Sequence, residues 1–309
     1  MLPDDISIGA LIDDGLYRGP VKQRRVLVTR AIDGGLDHFF GADHVSFHSG
    51  GWGVDGLVRA AQVTALHDEA RVMVGVYLLA LRHPLPVARQ LATISESAPG
   101  RLMLGVGVGG EDPHEFEVCG IDPRTRGRRT DEMLSILEPL LAGETVDHAG
   151  PFYPLERAEI SPVPEPRVPI FVGGRAPAAL RRAGQYGDGW LGIWSTPERY
   201  RQALETVREQ AARFDRAERC TRHGIQLWLA VDDDKAAARA RLGQRMEAIY
   251  RVPFEKFARY SPHGSLDEVA DQLHQLVEAG CRVFNLACVA ESTEQAIDDL
   301  VALRERLAN

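Results

Sequence analysis

Residues able to do chemistry collect where short apolar runs end. Leu102-Met-Leu-Gly105-Val-Gly107-Val-Gly109-Gly110-Glu111 passes from an apolar stretch into glycines. Backbone without Cβ atoms can approach a flat ring or a phosphate closely. The spacing is not GxGxxG, and Asp112-Pro113-His114 follows where an apolar helix would have to start, which disfavours a dinucleotide loop. A second run, Pro169-Ile-Phe-Val-Gly173-Gly174, leads into Arg175-Ala176-Pro177 and a helix start. Glycine amides and a helix N-terminus offer donors to an anion and Arg175 adds a charge, although an ordinary strand-to-helix turn reads the same way. A third run ends in Gly41-Ala-Asp43-His44. Histidine titrates near neutrality and can give or take a proton, and the preceding carboxylate can orient it; a structural histidine is the competing reading. Glu111 is a second candidate acid or base, with a solvated loop glutamate as its alternative. The run from Arg124 to Glu132, basic and then acidic, reads as a solvated helix start or as a partner for a ligand's anionic tail.

Those positions need strands to hold them, and the chain supplies a regular alternation of short β-type runs and longer helical patterns. Eight strands are expected, at Ile6–Ile12, Leu36–Gly41, Val72–Leu79, Arg101–Gly107, Pro169–Gly173, Gly189–Ile193, Ile225–Val231 and Arg282–Cys288. Most are apolar throughout, as strands of a parallel sheet covered on both faces are. Between them, Met133, Ile136, Leu137, Leu140 and Leu141 line one helix face. Ser265-Leu-Asp-Glu268 forms a capping box ahead of Val269, Leu273, Leu276 and Val277, and Gly280 ends that helix. Ala176-Pro177 and Thr196-Pro197 place proline where a missing N–H costs nothing. The pattern predicts an α/β fold, a (β/α)8 TIM barrel in a single domain over residues 1–309, with an open doubly wound sheet as the alternative. Segments 144–166 and 251–264 break the rhythm and are expected as insertions shaping the mouth at the C-terminal face, the second as a lid or a surface-packed helix.

The 309 residues carry 44% hydrophobic and 26% charged side chains, enough apolar material for a large core. A net charge of -8 argues against general affinity for nucleic acid or anionic membranes. Cys119, Cys220, Cys281 and Cys288 have no metal-like spacing and read as free thiols of a reducing compartment. The acidic start, Met1-Leu-Pro-Asp-Asp5, is unlike a secretory signal, and the longest apolar run, Val72 to Leu81, is too short to span a bilayer. A cytoplasmic protein is expected.

In combination these features resemble the luciferase-like flavin oxidoreductases. The blocks that carry the resemblance are Asp43-His44, Leu81-Arg-His-Pro84 with Ala88-Arg-Gln-Leu-Ala-Thr93, Gly100 to Gly109, Arg126 to Glu132, Pro169 to Gly174, and Gly187-Asp-Gly-Trp190, all in family order. The resemblance implies a (β/α)8 barrel binding FMN or the deazaflavin F420 at its C-terminal face. Gly107 and Gly109 would flank the ring, and Gly173, Gly174, Arg175 and Ala176 would hold the phosphate. A non-proline cis peptide around Gly75, Val76 and Tyr77 would back the ring. His44 becomes the leading proton-transfer residue, Asp43 its support at the cofactor, and Glu111 a second acid or base. The chain departs from the family pattern at Gly110, where many relatives have tryptophan, and at Glu96-Ser-Ala-Pro99.

The choice of cofactor sets the reaction, because reduced FMN can activate O2 whereas a deazaflavin favours hydride transfer. The Leu-Arg-His-Pro and Arg-Gly-Arg-Arg-Thr-Asp-Glu blocks look closest to the F420 branch. The glutamyl tail of F420 would be taken up by Arg175, Arg181, Arg182 and the 124–129 cluster. A hydride-transferring enzyme acting on a small-molecule substrate is therefore expected, with an FMN-dependent monooxygenase and a non-catalytic flavin-binding barrel as alternatives. The resemblance also implies a homodimer and, for FMN, a separate cofactor reductase.

Overall fold

A computed structural model describes residues 6–47, 52–109 and 112–308. Eight parallel strands form the frame: β1 (Ser7–Leu11), β2 (His38–Gly41), β3 (Val72–Leu78), β4 (Leu102–Gly107), β5 (Ile170–Gly173), β6 (Gly189–Ile193), β7 (Arg222–Val231) and β8 (Val283–Cys288). Each pairs with the next, from Gly9↔His38 through Gly189↔Arg222 to Gly224↔Val283. The Ser7↔Val283 register then joins β1 to β8 and closes the sheet into a (β/α)8 barrel. All eight expected strands are present; β7 begins earlier than expected because Arg222 to Gly224 pair with β6, and Gly224 with β8 as well.

Alternation along the strands divides the apolar side chains between two cores. Phe39, Val72, Val74, Ile170 and Val172 point outward and pack against helix residues such as Leu91, Leu137, Leu204 and Leu273. Their neighbours Phe40, Met73, Phe171 and Leu191 fill the lumen. Helices Arg126–Leu141, Pro177–Tyr186, Pro197–Arg213 and Leu266–Glu278 lie where the sequence places them. The Ser265/Glu268 capping box is formed in both directions.

The two irregular segments differ in use. Residues 144–166 carry an antiparallel hairpin, Val146–His148 with Leu155–Ala158, packed along helix Arg126–Leu141. Glu132 accepts hydrogen bonds from the N–H groups of Phe152 and Tyr153, and the Tyr153 ring stands edge-on to His83 just beyond β3. This hairpin does not line the cavity at the barrel mouth, so the expectation that it shapes the substrate wall is not met. The second insertion starts earlier than expected. Helix Lys235–Tyr250 follows β7, and its Ala238, Leu242 and Met246 join the lumen core, so the helix roofs part of the barrel. Phe254, Phe257 and Tyr260 of the 251–264 segment are buried behind it. No helix among the described residues is long and apolar enough to cross a membrane.

Candidate active site

A cavity of about 670 Å3 opens at the C-terminal ends of the barrel strands. One side of its wall is built from glycines: Gly75 of β3, Gly107 and Gly109 at the end of β4, Gly173 and Gly174 at the end of β5. A Cβ on Gly107 would lie 2.3 Å from Val76 Cγ2, and one on Gly173 2.8 Å from Val76 Cγ1. The absence of those side chains lets the Val76 side chain lie across β4 and β5. The Gly75–Val76 peptide is cis. The facing side is bulky, made by Leu11, Phe40 and Trp228 from the strands and by Ile249 and Tyr250 from the roofing helix. A space between a wall of glycines overlaid by Val76 and apolar side chains suits a planar ring system.

His44 opens a short strand, His44–Phe47, that pairs antiparallel with Trp52–Val54 directly beyond β2. Its Nδ1 lies 2.9 Å from Glu115 Oε2. The other carboxylate oxygen, Oε1, accepts the N–H groups of Val45 at 2.8 Å and Ser46 at 3.2 Å. Glu115 is buried in the short helix His114–Glu117. Burial alone would raise its pKa, but the His44 hydrogen bond and charge, with the two backbone donors, outweigh it and leave the pKa below the ordinary glutamate value. An ionised carboxylate can only accept, so Nδ1 of His44 carries the hydrogen between them.

Asp43 has a different set of partners. Arg82 holds it with two bonds, Nη1 to Oδ2 at 2.6 Å and Nη2 to Oδ1 at 2.8 Å. Leu78 and Gly56 donate backbone N–H groups to the same carboxylate. Burial pushes the Asp43 carboxyl up and Arg82 pulls it back, leaving it above the ordinary aspartate value. The group therefore ties the end of β2 to the end of β3 and to the start of helix Gly56–Thr64, which fixes the backbone that carries His44.

Of the residues expected from sequence, Asp43, His44, Gly75, Val76, Gly107, Gly109, Gly173 and Gly174 come together around this cavity. Tyr77 does not: it is buried between barrel and helices under the Arg82 guanidinium, 4.2 Å above its ring, and burial raises its pKa. Strict alternation would put Gly75 and Tyr77 on one face; the register shift between Val74 and Tyr77 breaks it, so Gly75 faces the lumen and Tyr77 faces out. Arg175 and Ala176 are exposed outside the cavity lining. Ala176 caps helix Pro177–Tyr186, and Arg175 lies over Trp194. Glu111 lies outside the described residues, as does Gly110. The basic cluster is engaged within the protein: Arg124 pairs with Asp122, Arg182 with Asp131, and Arg129 lies over Phe152. Sequence reasoning missed Glu115, Arg59, Gln226, Trp228 and Tyr250, all of which line the cavity. Nothing local separates Glu115 from Glu111. Its partner is 71 residues away.

The profile of the luciferase-like monooxygenase family matches residues 10–308. The chain belongs to that family. It is similar to an F420-dependent glucose-6-phosphate dehydrogenase of Beutenbergia cavernae, 34% identical over 218 residues, 67% of this chain and 64% of the other. An uncharacterized protein of Mycobacterium tuberculosis is 32% identical over 163 residues, 52% of this chain and 56% of the other. The matches thus span between half and two thirds of these relatives' length. Among solved structures, an F420-dependent secondary alcohol dehydrogenase bound to an F420-acetone adduct superposes with a TM-score of 0.84 at 20% identity, covering 99% of this chain and 100% of the other. A monooxygenase from Streptomyces bottropensis superposes with a TM-score of 0.81 at 21% identity, covering 98% and 99%. At these identities the likeness establishes the fold.

Proposed function

We propose that this protein is an oxidoreductase that binds F420, or FMN, in the glycine-walled cavity and transfers a hydride between it and a small organic substrate, with His44 moving the proton. The observation that carries the reading is the Glu115–His44 pair at the mouth, 2.9 Å long with Glu115 buried, beside the wall of glycines and Val76. Either cofactor, when bound, supplies a ring that takes or gives a hydride. Gly107, Gly109 and Gly75 with Val76 provide a surface for that ring. The Gly174 N–H is bonded to Leu191 O at 3.2 Å, so the first-turn amides of helix Pro177–Tyr186 beyond it would be the donors to a phosphate. Glu115 keeps the hydrogen on Nδ1, so proton exchange falls to Nε2 of His44. Glu111 is the second acid or base in this reading. Similarity to F420-dependent dehydrogenases over 67% of the chain favours F420. A homodimer, a cytoplasmic location and, with FMN, a partner reductase belong to the same proposal.

The test is single-turnover reduction of F420 by a panel of small secondary alcohols, read as loss of deazaflavin absorbance. His44→Ala should slow a productive reaction by about 100-fold or more, the usual range for a lost general acid or base, with F420 affinity unchanged. A full rate in His44→Ala removes the proton-transfer role. Substrate-dependent O2 consumption with reduced FMN, and none of this activity with F420, would select the monooxygenase reading instead.

A further inference from the structure

The bulky side of the cavity holds a buried charge that has no ion-pair partner among the described residues. Arg59, on helix Gly56–Thr64, lines the cavity with only 7% of its surface exposed. Its guanidinium lies 3.6 Å above the Tyr17 ring, and its Nε has no hydrogen-bond partner. Among the described residues no acid forms an ion pair with it. Asp14, whose charge reaches it, is turned to Arg18 at 3.4 Å. Asp13 is committed to the Leu16 N–H and to the Thr293 hydroxyl at 2.6 Å. An arginine cannot shed its proton, and a buried charge without a counter-ion is costly. Burial accordingly pulls its pKa down.

An apolar wall shares the cavity with it. Leu11, Phe40, Trp228, Ile249 and Tyr250 form the wall opposite the glycines, and the Trp228 Nε1–H is given to the Tyr250 hydroxyl at 2.9 Å. The other two carboxylates of the cavity are also committed, Asp43 to Arg82 and Glu115 to His44 and two backbone amides. Arg18, Arg245 and Arg251 also line the cavity, but all three are exposed, and Arg59 is the buried one of the four.

We infer that the substrate is an apolar molecule ending in an oxyanion such as a carboxylate, with Arg59 binding that end and the Leu11–Phe40–Trp228–Tyr250 wall holding its body. This rests on the oxidoreductase reading of the same cavity and names the class of molecule it takes. Arg59 binds and orients; the proton remains with His44. Charge-assisted contacts are about twice as strong as neutral ones, so the charge should be visible in affinity.

The test measures calorimetric affinity of two probes of equal shape, cyclohexanecarboxylate and cyclohexanecarboxamide, with F420 present and absent. The wild type should prefer the carboxylate by about tenfold or more. Arg59→Met, which keeps the stem over Tyr17, should abolish that preference, Arg59→Lys should retain part of it, and F420 affinity should be unchanged in both. Equal affinity of the two probes in the wild type, or a preference that survives in Arg59→Met, overturns the assignment. A tenfold fall in F420 or FMN affinity in Arg59→Met, with no probe preference, gives the oxyanion to the cofactor and also overturns it. An Arg59-dependent preference in a protein that binds neither cofactor would uphold the anion site while the oxidoreductase reading fails.

Discussion

Glu115 is ionised in a place where burial favours the neutral acid, because His44, Val45 and Ser46 supply three donors to it. A carboxyl whose folded pKa is depressed stabilises the fold above its unfolded value, and that stabilisation is lost as pH falls through the folded pKa. The unfolded reference is 4.5. Melting temperature should therefore fall more steeply below that pH in the wild type than in Glu115→Gln, with the two converging in acid; parallel curves would show that Glu115 carries no such charge. Legibility at this scale followed locality. Asp43, His44 and the glycines stand out in sequence because they end apolar runs. Glu115 and Arg59 do not, because what distinguishes them is a missing or distant partner, and only the fold sets partners across 71 residues. Arg175 looked like an anion site for the opposite reason, since a glycine pair and a helix start are visible locally while the exposed direction of its side chain is not.

Among the elements, the roofing helix Lys235–Tyr250 has the largest consequence for the site. It carries Ile249 and Tyr250 into the cavity wall and is held by Ala238, Leu242 and Met246, all fully buried. Trp194, Tyr250 and Phe257 pack edge-on or tilted around its C-terminal end with centroids 5.0 to 5.3 Å apart. Leu242→Ala should cost about 2–5 kcal/mol, as buried large-to-small changes do, read as a lower urea midpoint at unchanged slope. A loss under about 0.5 kcal/mol, the size of an ordinary surface change, would mean the roof is not packed as described. Its apolar spacing reads as that of any barrel helix, because a 3.6-residue period reports a buried face and not the layer that buries it. The sequence accordingly marks an insertion only at 251–264, where aromatic residues break the rhythm, and leaves its first helix unmarked. The hairpin at His44–Phe47 and Trp52–Val54 was unreadable for a related reason: strands this short carry too little pattern.

For the molecule as a whole, composition and periodicity were enough to place all eight strands, since parallel strands covered on both faces must be apolar throughout. Closure was not readable. It depends on β1 finding β8 and β6 finding β7, and an open sheet has the same strands. What closure creates is a mouth to which β3, β4 and β5 contribute Gly75, Gly107 and Gly173 while β1, β2 and β7 contribute Leu11, Phe40 and Trp228. That asymmetry is the basis of the functional reading: ring on one side, substrate on the other, His44 and Glu115 at the edge. It is tested most directly by titrating the purified protein with F420 and with FMN, each oxidised and reduced, and following binding by calorimetry. One cofactor should bind at one molecule per chain; no binding of either in any redox state would contradict the account.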